Sequence, residues 1–205
     1  MRTATTTQRI LELAERTPEG EVLTAKALLH LGARAAVDQA LSRLVRRGLL
    51  LRVGRGLYAR PVRGRFGTRS PQPEKVVAGI RTLTGETITP SGASAANALG
   101  LTPQMPIRAV YLTSGRSRNL RLGAQVVELR HAPTWQVRAP EQPAGQAVRA
   151  LAWLGPEQVE GAAATLRARL TRTEQCALVS ARAGMPTWLA EAVSRAFCEE
   201  SKARA

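Results

Sequence analysis

The stretch from 33 to 60 constrains the fold more than any other part of the chain. Val37, Ala40, Leu41, Leu44 and Val45 recur at i, i+3, i+4, i+7 and i+8, the stripe of an amphipathic helix, and Gly48 ends the pattern. The period then changes. Leu49-Leu50-Leu51-Arg52-Val53 and Leu57-Tyr58-Ala59-Arg60 read as strands flanking Gly54-Arg55, a two-residue loop whose leading glycine suits a type II′ hairpin. Upstream, 7–16 carries Ile10, Leu11, Leu13 and Ala14 on one stripe before the turn signal Thr17-Pro18-Glu19-Gly20. Thr24 caps a short second helix through Ala27, Leu28, Leu29 and Leu31, which Gly32 stops. Three helices followed by a hairpin predict a winged helix-turn-helix over residues 1–66.

Charge falls on the same segment. The 205 residues carry a formal net charge of +15, a field that attracts nucleic acid, anionic lipid or an acidic protein. Residues 1–33 balance Arg2, Arg9, Arg16 and Lys26 against Glu12, Glu15, Glu19 and Glu21, whereas 34–65 hold nine arginines against Asp38 alone, a net of +8. Genomic base composition explains the preference for arginine over lysine, but not the clustering. In the predicted register Arg34, Gln39, Ser42 and Arg43 face outward near the start and middle of the third helix. Arginine forks onto guanine and glutamine onto adenine, so these four are candidates for reading base edges. Arg46, Arg47, Arg52 and Arg55 are candidate phosphate contacts, with Arg55 at the tip of the wing. The plain alternative is a solvated basic face on an ordinary three-helix domain. It leaves unexplained why the charges coincide with the two elements that touch DNA.

Residues 61–73 are rich in Pro, Gly, Arg and Ser, with Val62 and Phe66 as the sizeable apolar groups, and 67–73 reads as a linker to a second domain over 74–205. There a helix (Val76, Val77, Ile80, Leu83) precedes a short strand at Ile88, a small-residue helix from Ser91 to Leu99, and strands at Ile107–Leu112 and Val126–Leu129. Helices fill the remainder, one of them opening at the capping box Thr171-x-x-Glu174. The expected class is α+β: an N-terminal winged helix, then a mixed α/β domain with a helical C-terminal part. Ser91, Ser94 and Asn97 sit where a helix begins, which suits either an anion or simple capping with close packing. Arg116, Arg118 and Arg121 read as one basic loop between strands, open to phosphate, RNA or an acidic partner, or merely solvated.

Enzymatic signatures are lacking: the sequence holds no Walker loop, no Gly-x-Gly-x-x-Gly after a strand and no Gly-x-Ser-x-Gly elbow, so no catalytic residue and no cofactor is expected. Cys176, Cys198, His30 and His131 lack zinc spacing, and the two cysteines are expected to be buried free thiols. Without an apolar run of about 18–20 residues or a basic-then-apolar leader, the expected location is the cytoplasm, with no membrane partner.

Three blocks carry a resemblance: Ala35-Ala36-Val37-Asp38-Gln39-Ala40-Leu41-Ser42-Arg43-Leu44-Val45-Arg46-Arg47-Gly48, then Gly54-Arg55-Gly56-Leu57-Tyr58, then Pro90-Ser91-Gly92-Ala93-Ser94-Ala95-Ala96-Asn97-Ala98-Leu99-Gly100-Leu101. With Val110-Tyr111-Leu112-Thr113-Ser114-Gly115 and Ser117-Arg118, they resemble the AbiEi family of type IV antitoxins over roughly residues 7–130. The resemblance implies an N-terminal winged helix that represses its own operon at inverted repeats in double-stranded DNA. It also implies a C-terminal domain that neutralises a nucleotidyltransferase-fold toxin. Arg34, Gln39, Ser42, Arg43 and Arg55 carry over as DNA contacts. Ser91, Ser94, Asn97, Arg116, Arg118 and Arg121 become the first places to look for antitoxic function. The competing reading is a winged-helix regulator whose second domain binds a ligand or dimerises. A third class, phosphoryl transfer to the toxin, lacks a motif.

Overall fold

Thr5 begins the first helix, α1 (Thr6–Arg16), by accepting the Gln8 N–H on its side-chain oxygen at 3.3 Å. The computed structural model describes residues 5–65 and 67–198, in an α+β arrangement of two compact units. The first contains the chain up to Glu86 together with Arg118–Leu129, and the second contains Thr87–Ser117 and the chain from Arg130 onward. No helix among the described residues is long and apolar enough to cross a membrane.

In the first unit α1 is followed by β1 (Val22–Thr24), a 3-10 turn (Leu29–Leu31), α2 (Arg34–Arg46), β2 (Leu51–Gly54) and β3 (Leu57–Ala59), with the strands in the antiparallel order β1-β3-β2. Ile10 of α1 meets Val37, Leu41 and Leu44 of α2 and Leu50 in one buried cluster. Each such side chain contributes about 1.5–3 kcal/mol on burial. The expected second helix is tighter than an α-helix. The N–H groups of Leu28, Leu29 and Leu31 reach carbonyls three residues back, while Thr24 Oγ1 accepts from the Ala27 N–H at 3.1 Å. So short a segment between a cap and Gly32 cannot repay α-helix nucleation and winds as 3-10 instead.

The hairpin turn is displaced by one residue from the expected Gly54-Arg55. Gly54 pairs with Leu57, so the loop is Arg55-Gly56, and the left-handed residue is Gly56 with φ +69°. Gly54 is small for another reason: a Cβ there would stand 3.3 Å from Leu57 Cδ1 and 3.6 Å from Leu120 Cδ2.

The linker expected over 67–73 is structured, and the boundary falls elsewhere. β4 (Val62–Gly64) pairs with β5 (Gly67–Arg69), and α3 (Pro73–Thr84) packs on β1 through the unit that also buries Val76, Val77 and Ile80. Phe66, expected to end the first domain, lies outside the described residues. Glu19 fastens this region, accepting from Lys75 Nζ at 2.6 Å, Arg69 Nη1 at 3.0 Å and the Gln72 N–H at 3.1 Å. Composition rich in Pro, Gly and Arg signals turns, but these turns are tied down by long-range contacts. The hairpin of β8 (Arg118–Leu122) and β9 (Gln125–His131), as far as Leu129, completes the unit, with β8 against β2.

The second unit pairs β6 (Ile88–Pro90) with β7 (Ala109–Thr113) and sets α4 (Gly92–Ala98) against α6 (Pro143–Leu154). A short helix, α5 (Thr134–Val137), precedes α6, and α7 (Val159–Arg169), α8 (Arg172–Ser180) and α9 (Thr187–Cys198) follow. Val148 and Leu151 of α6 share a core with Leu166, Leu178, Leu189 and Val193. The capping box at Thr171 and Glu174 is formed in both directions. Of the two cysteines expected to be buried, Cys176 is exposed and Cys198 half-buried. α8 buries Leu178, and a residue two positions earlier lies about 200° round the helix, facing water.

Candidate functional site

The buried stripe of α2 fixes what its other face presents. Because Val37, Ala40, Leu41 and Leu44 point inward, Arg34, Gln39, Ser42, Arg43, Arg46 and Arg47 are all exposed. Gln39, Arg43, Arg46 and Arg47 stand at i, i+4, i+7 and i+8, a single stripe about 12 Å long at 1.5 Å per residue. Arg52 and Arg55 are exposed on β2 and in the turn after it. Two of the expected base readers are engaged within the helix. Arg34 Nε donates to Asp38 Oδ2 at 2.9 Å, and the Ser42 hydroxyl donates to the Asp38 carbonyl at 2.9 Å. Gln39, Arg43, Arg46, Arg47, Arg52 and Arg55 make no side-chain hydrogen bond or ion pair among the described residues. The charges of the five arginines are therefore held out to solvent rather than spent on internal pairing.

The other expected set does not come together. Ser91 is the buried N-cap of α4: its Oγ accepts from the Ser94 N–H at 3.4 Å and lies 3.2 Å from Ser94 Oγ. Asn97 Nδ2 donates to the Thr102 carbonyl at 3.3 Å, closing the turn after the helix. These contacts are capping and turn closure. Arg116, Arg118 and Arg121 do not share one loop, because 118–122 is strand β8. Its alternation buries Leu120 and Leu122 on the face where Arg118 lies, and Arg118 Nη2 pairs with Glu86 Oε2 at 2.8 Å; Arg121 is exposed on the opposite face. Arg116 is exposed in the loop before β8, where Ser117 Oγ accepts from the His131 N–H at 2.8 Å. The period-two signal is only two leucines long, and the surrounding arginines hide it.

Sequence reading missed a cavity of about 520 Å³ in the second unit, whose polar lining is Ser91, Arg108, Arg130, Gln136 and Arg149. Arg149 is 3% exposed, and Nη2 donates to the Pro140 carbonyl at 3.0 Å. Its Nε and Nη1 have no hydrogen-bond partner among the described residues. Burial lowers its pKa to about 10, so the group stays a cation at neutral pH. The one available signal was an arginine set among small and apolar residues of α6: Ala144, Ala147, Val148, Ala150 and Leu151 are all buried around it.

The fold has a precedent among solved structures. The Rv2827c protein from Mycobacterium tuberculosis matches with a TM-score of 0.53 and 18% identity, over 94% of this chain and 76% of that one. At that identity the likeness shows the fold alone. No curated protein matches the chain by sequence. A model described as a family of unknown function, DUF6088, matches residues 9–177, most of the length, and the chain belongs to that family.

Proposed function

We propose that the first unit is a winged helix-turn-helix that binds operator DNA in the cytoplasm and represses its own operon, and that the chain is the antitoxin to a nucleotidyltransferase-fold toxin. The observation that carries the DNA-binding half is the α2 stripe, in which Gln39, Arg43, Arg46 and Arg47 lie exposed in line without internal partners. The element order supports it: α1, β1, a 3-10 turn, α2, then the β2/β3 hairpin. In this reading α2 enters the major groove, Gln39 and Arg43 read base edges, and Arg46, Arg47, Arg52 and Arg55 hold phosphates. Arg34 joins them when DNA draws it from Asp38, an exposed pair that costs at most about 1 kcal/mol to open. The antitoxin half is supported by the resemblance of residues 35–48, 54–58 and 90–101 to AbiEi proteins.

Titration of the full chain into a duplex taken from upstream of its own gene tests the first half. Each phosphate neutralised steepens the slope of log affinity on log salt by roughly 0.9, so several contacts give a steep line and a preference over random duplex. A flat salt response overturns the assignment. Growth during expression of a neighbouring nucleotidyltransferase gene, with and without this chain, tests the second half. Equal growth in both arms sinks it.

A further inference from the structure

A buried guanidinium with two donors unpaired is a costly arrangement that a folded chain keeps when something else supplies the acceptor. Arg149 is such a group, and its surroundings hold it in place. Ala139 adopts φ +49°, in the left-handed region, which strains a residue with a side chain. Gly145 lets this loop press onto α6, since a Cβ there would stand 2.1 Å from the Ala139 carbonyl oxygen. The loop so placed gives the Pro140 carbonyl both to Arg149 Nη2 and to the buried Thr89 hydroxyl at 3.3 Å. One nitrogen is thus tethered, while Nε and Nη1 are buried without a partner in a residue that helps to line the cavity.

The chemistry of the lining narrows the ligand. Arg108 and Arg130 join Arg149, and none of the lining residues is acidic, so the cavity favours a multiply charged anion over a single carboxylate. Met105, Ile107 and Trp153, which also line it, are among the chain's few exposed large apolar side chains. They offer a flat apolar body somewhere to lie, with the Trp153 indole as a stacking surface. The volume, about 520 Å³, is in the range of small-molecule sites. We propose that this cavity binds a small organic phosphate of the nucleoside-phosphate type, its phosphoryl oxygens on Arg149 with Arg108 and Arg130 around them and its aromatic part against Trp153. The inference is independent of the operator and toxin readings and gives the second unit a ligand of its own.

Calorimetry and thermal melting of the full chain with four probes test it: ADP, adenosine, inorganic phosphate and a short single-stranded oligonucleotide. ADP binds and raises the melting temperature, and adenosine or phosphate alone binds at least tenfold more weakly. Arg149→Met weakens ADP at least tenfold, yet without ligand it melts no lower than the parent, because it removes an unpaired buried charge. A strut acting through Pro140 would behave oppositely. Arg108→Glu, on an exposed segment, weakens ADP to a similar degree without altering the melt and carries the test if Arg149→Met proves unstable. Trp153→Ala lowers affinity for ADP more than for phosphate. Arg43→Glu with Arg46→Glu leaves ADP binding unchanged, which separates the cavity from the basic face of α2. Failure of ADP to bind, or equal binding by the parent and Arg108→Glu, overturns the proposal. Tighter, Arg149-dependent binding of the oligonucleotide overturns the small-ligand assignment in favour of a nucleic-acid groove.

Discussion

Arg43 and Arg55 carry the same charge at different places: Arg43 in the middle of the exposed stripe of α2, Arg55 in the turn between β2 and β3. A side chain on a recognition helix meets base edges, whereas one at a hairpin tip meets the sugar–phosphate backbone. If α2 is the recognition helix proposed above, Arg43→Ala costs about 1–3 kcal/mol at the operator and relaxes one base position, while Arg55→Ala weakens specific and random duplexes alike and flattens the salt slope. Fluorescence anisotropy on both duplexes measures this, and equal losses for Arg43→Ala would disprove the register. The exposed arginines of α2 were legible in the sequence because helical periodicity alone decides which residues face outward. Arg149 was not, since an arginine in an alanine-rich helix reads as a solvated position until the packing of α4, α5 and α7 around α6 is known. Arg118 was misread for a related reason: its partner Glu86 lies far away in sequence.

Among the elements, α3 shows how a tertiary anchor overrides local composition. Three donors converge on the Glu19 carboxylate: the Lys75 ammonium first, then the Gln72 backbone N–H and the Arg69 guanidinium. Together they hold its pKa at about 2, against an ordinary 4.5. A carboxylate whose folded pKa is depressed contributes stability that is fully present above the unfolded value and lost as pH falls through the folded one. The window here runs from about 4.5 down to about 2. Urea unfolding of the parent and Glu19→Gln across that range should show the parent more stable near neutral pH and the two converging near pH 2; a gap independent of pH would show that Glu19 acts by packing alone. Elements with long apolar stripes, α1, α2, α6, α7 and α9, were readable from sequence, and α8 from its capping box. So were β6 and β7, which follow apolar runs. The second helix, the β4/β5 pair and β8 were not, because each is short and its own residues carry little pattern: the 3-10 turn is held between α1 and α2, the β4/β5 hairpin by Arg69 on Glu19, and β8 by β9 and by β2 far back in the chain.

At the scale of the whole molecule the two units are interleaved in sequence, since the chain enters the second at Thr87, returns to the first for Arg118–Leu129 and leaves again at Arg130. A cut at residue 66 would remove α3, with its buried Val76, Val77 and Ile80, and the Leu120 and Leu122 strand from the first unit, so truncation confounds loss of function with loss of fold. Point substitution at exposed positions avoids this, because such changes usually alter stability by no more than about 0.5 kcal/mol. If the operator face is α2, Arg43→Glu with Arg46→Glu places two negative charges against phosphate, and repression is lost through repulsion. Neutralisation of the toxin needs no operator and should persist. Conversely Arg116→Glu, in an exposed loop of the second unit, should leave repression in place and lower protection. Repression is scored with a reporter under the chain's own promoter. Protection is scored as growth while toxin is expressed from a separate inducible promoter, so that lost repression cannot masquerade as lost neutralisation, with protein levels followed by blot. Failure of the α2 double variant to protect would mean that both activities use one surface, and full protection by Arg116→Glu would move the antitoxic surface to another part of the second unit, where the cavity around Arg149 is the next place to mutate.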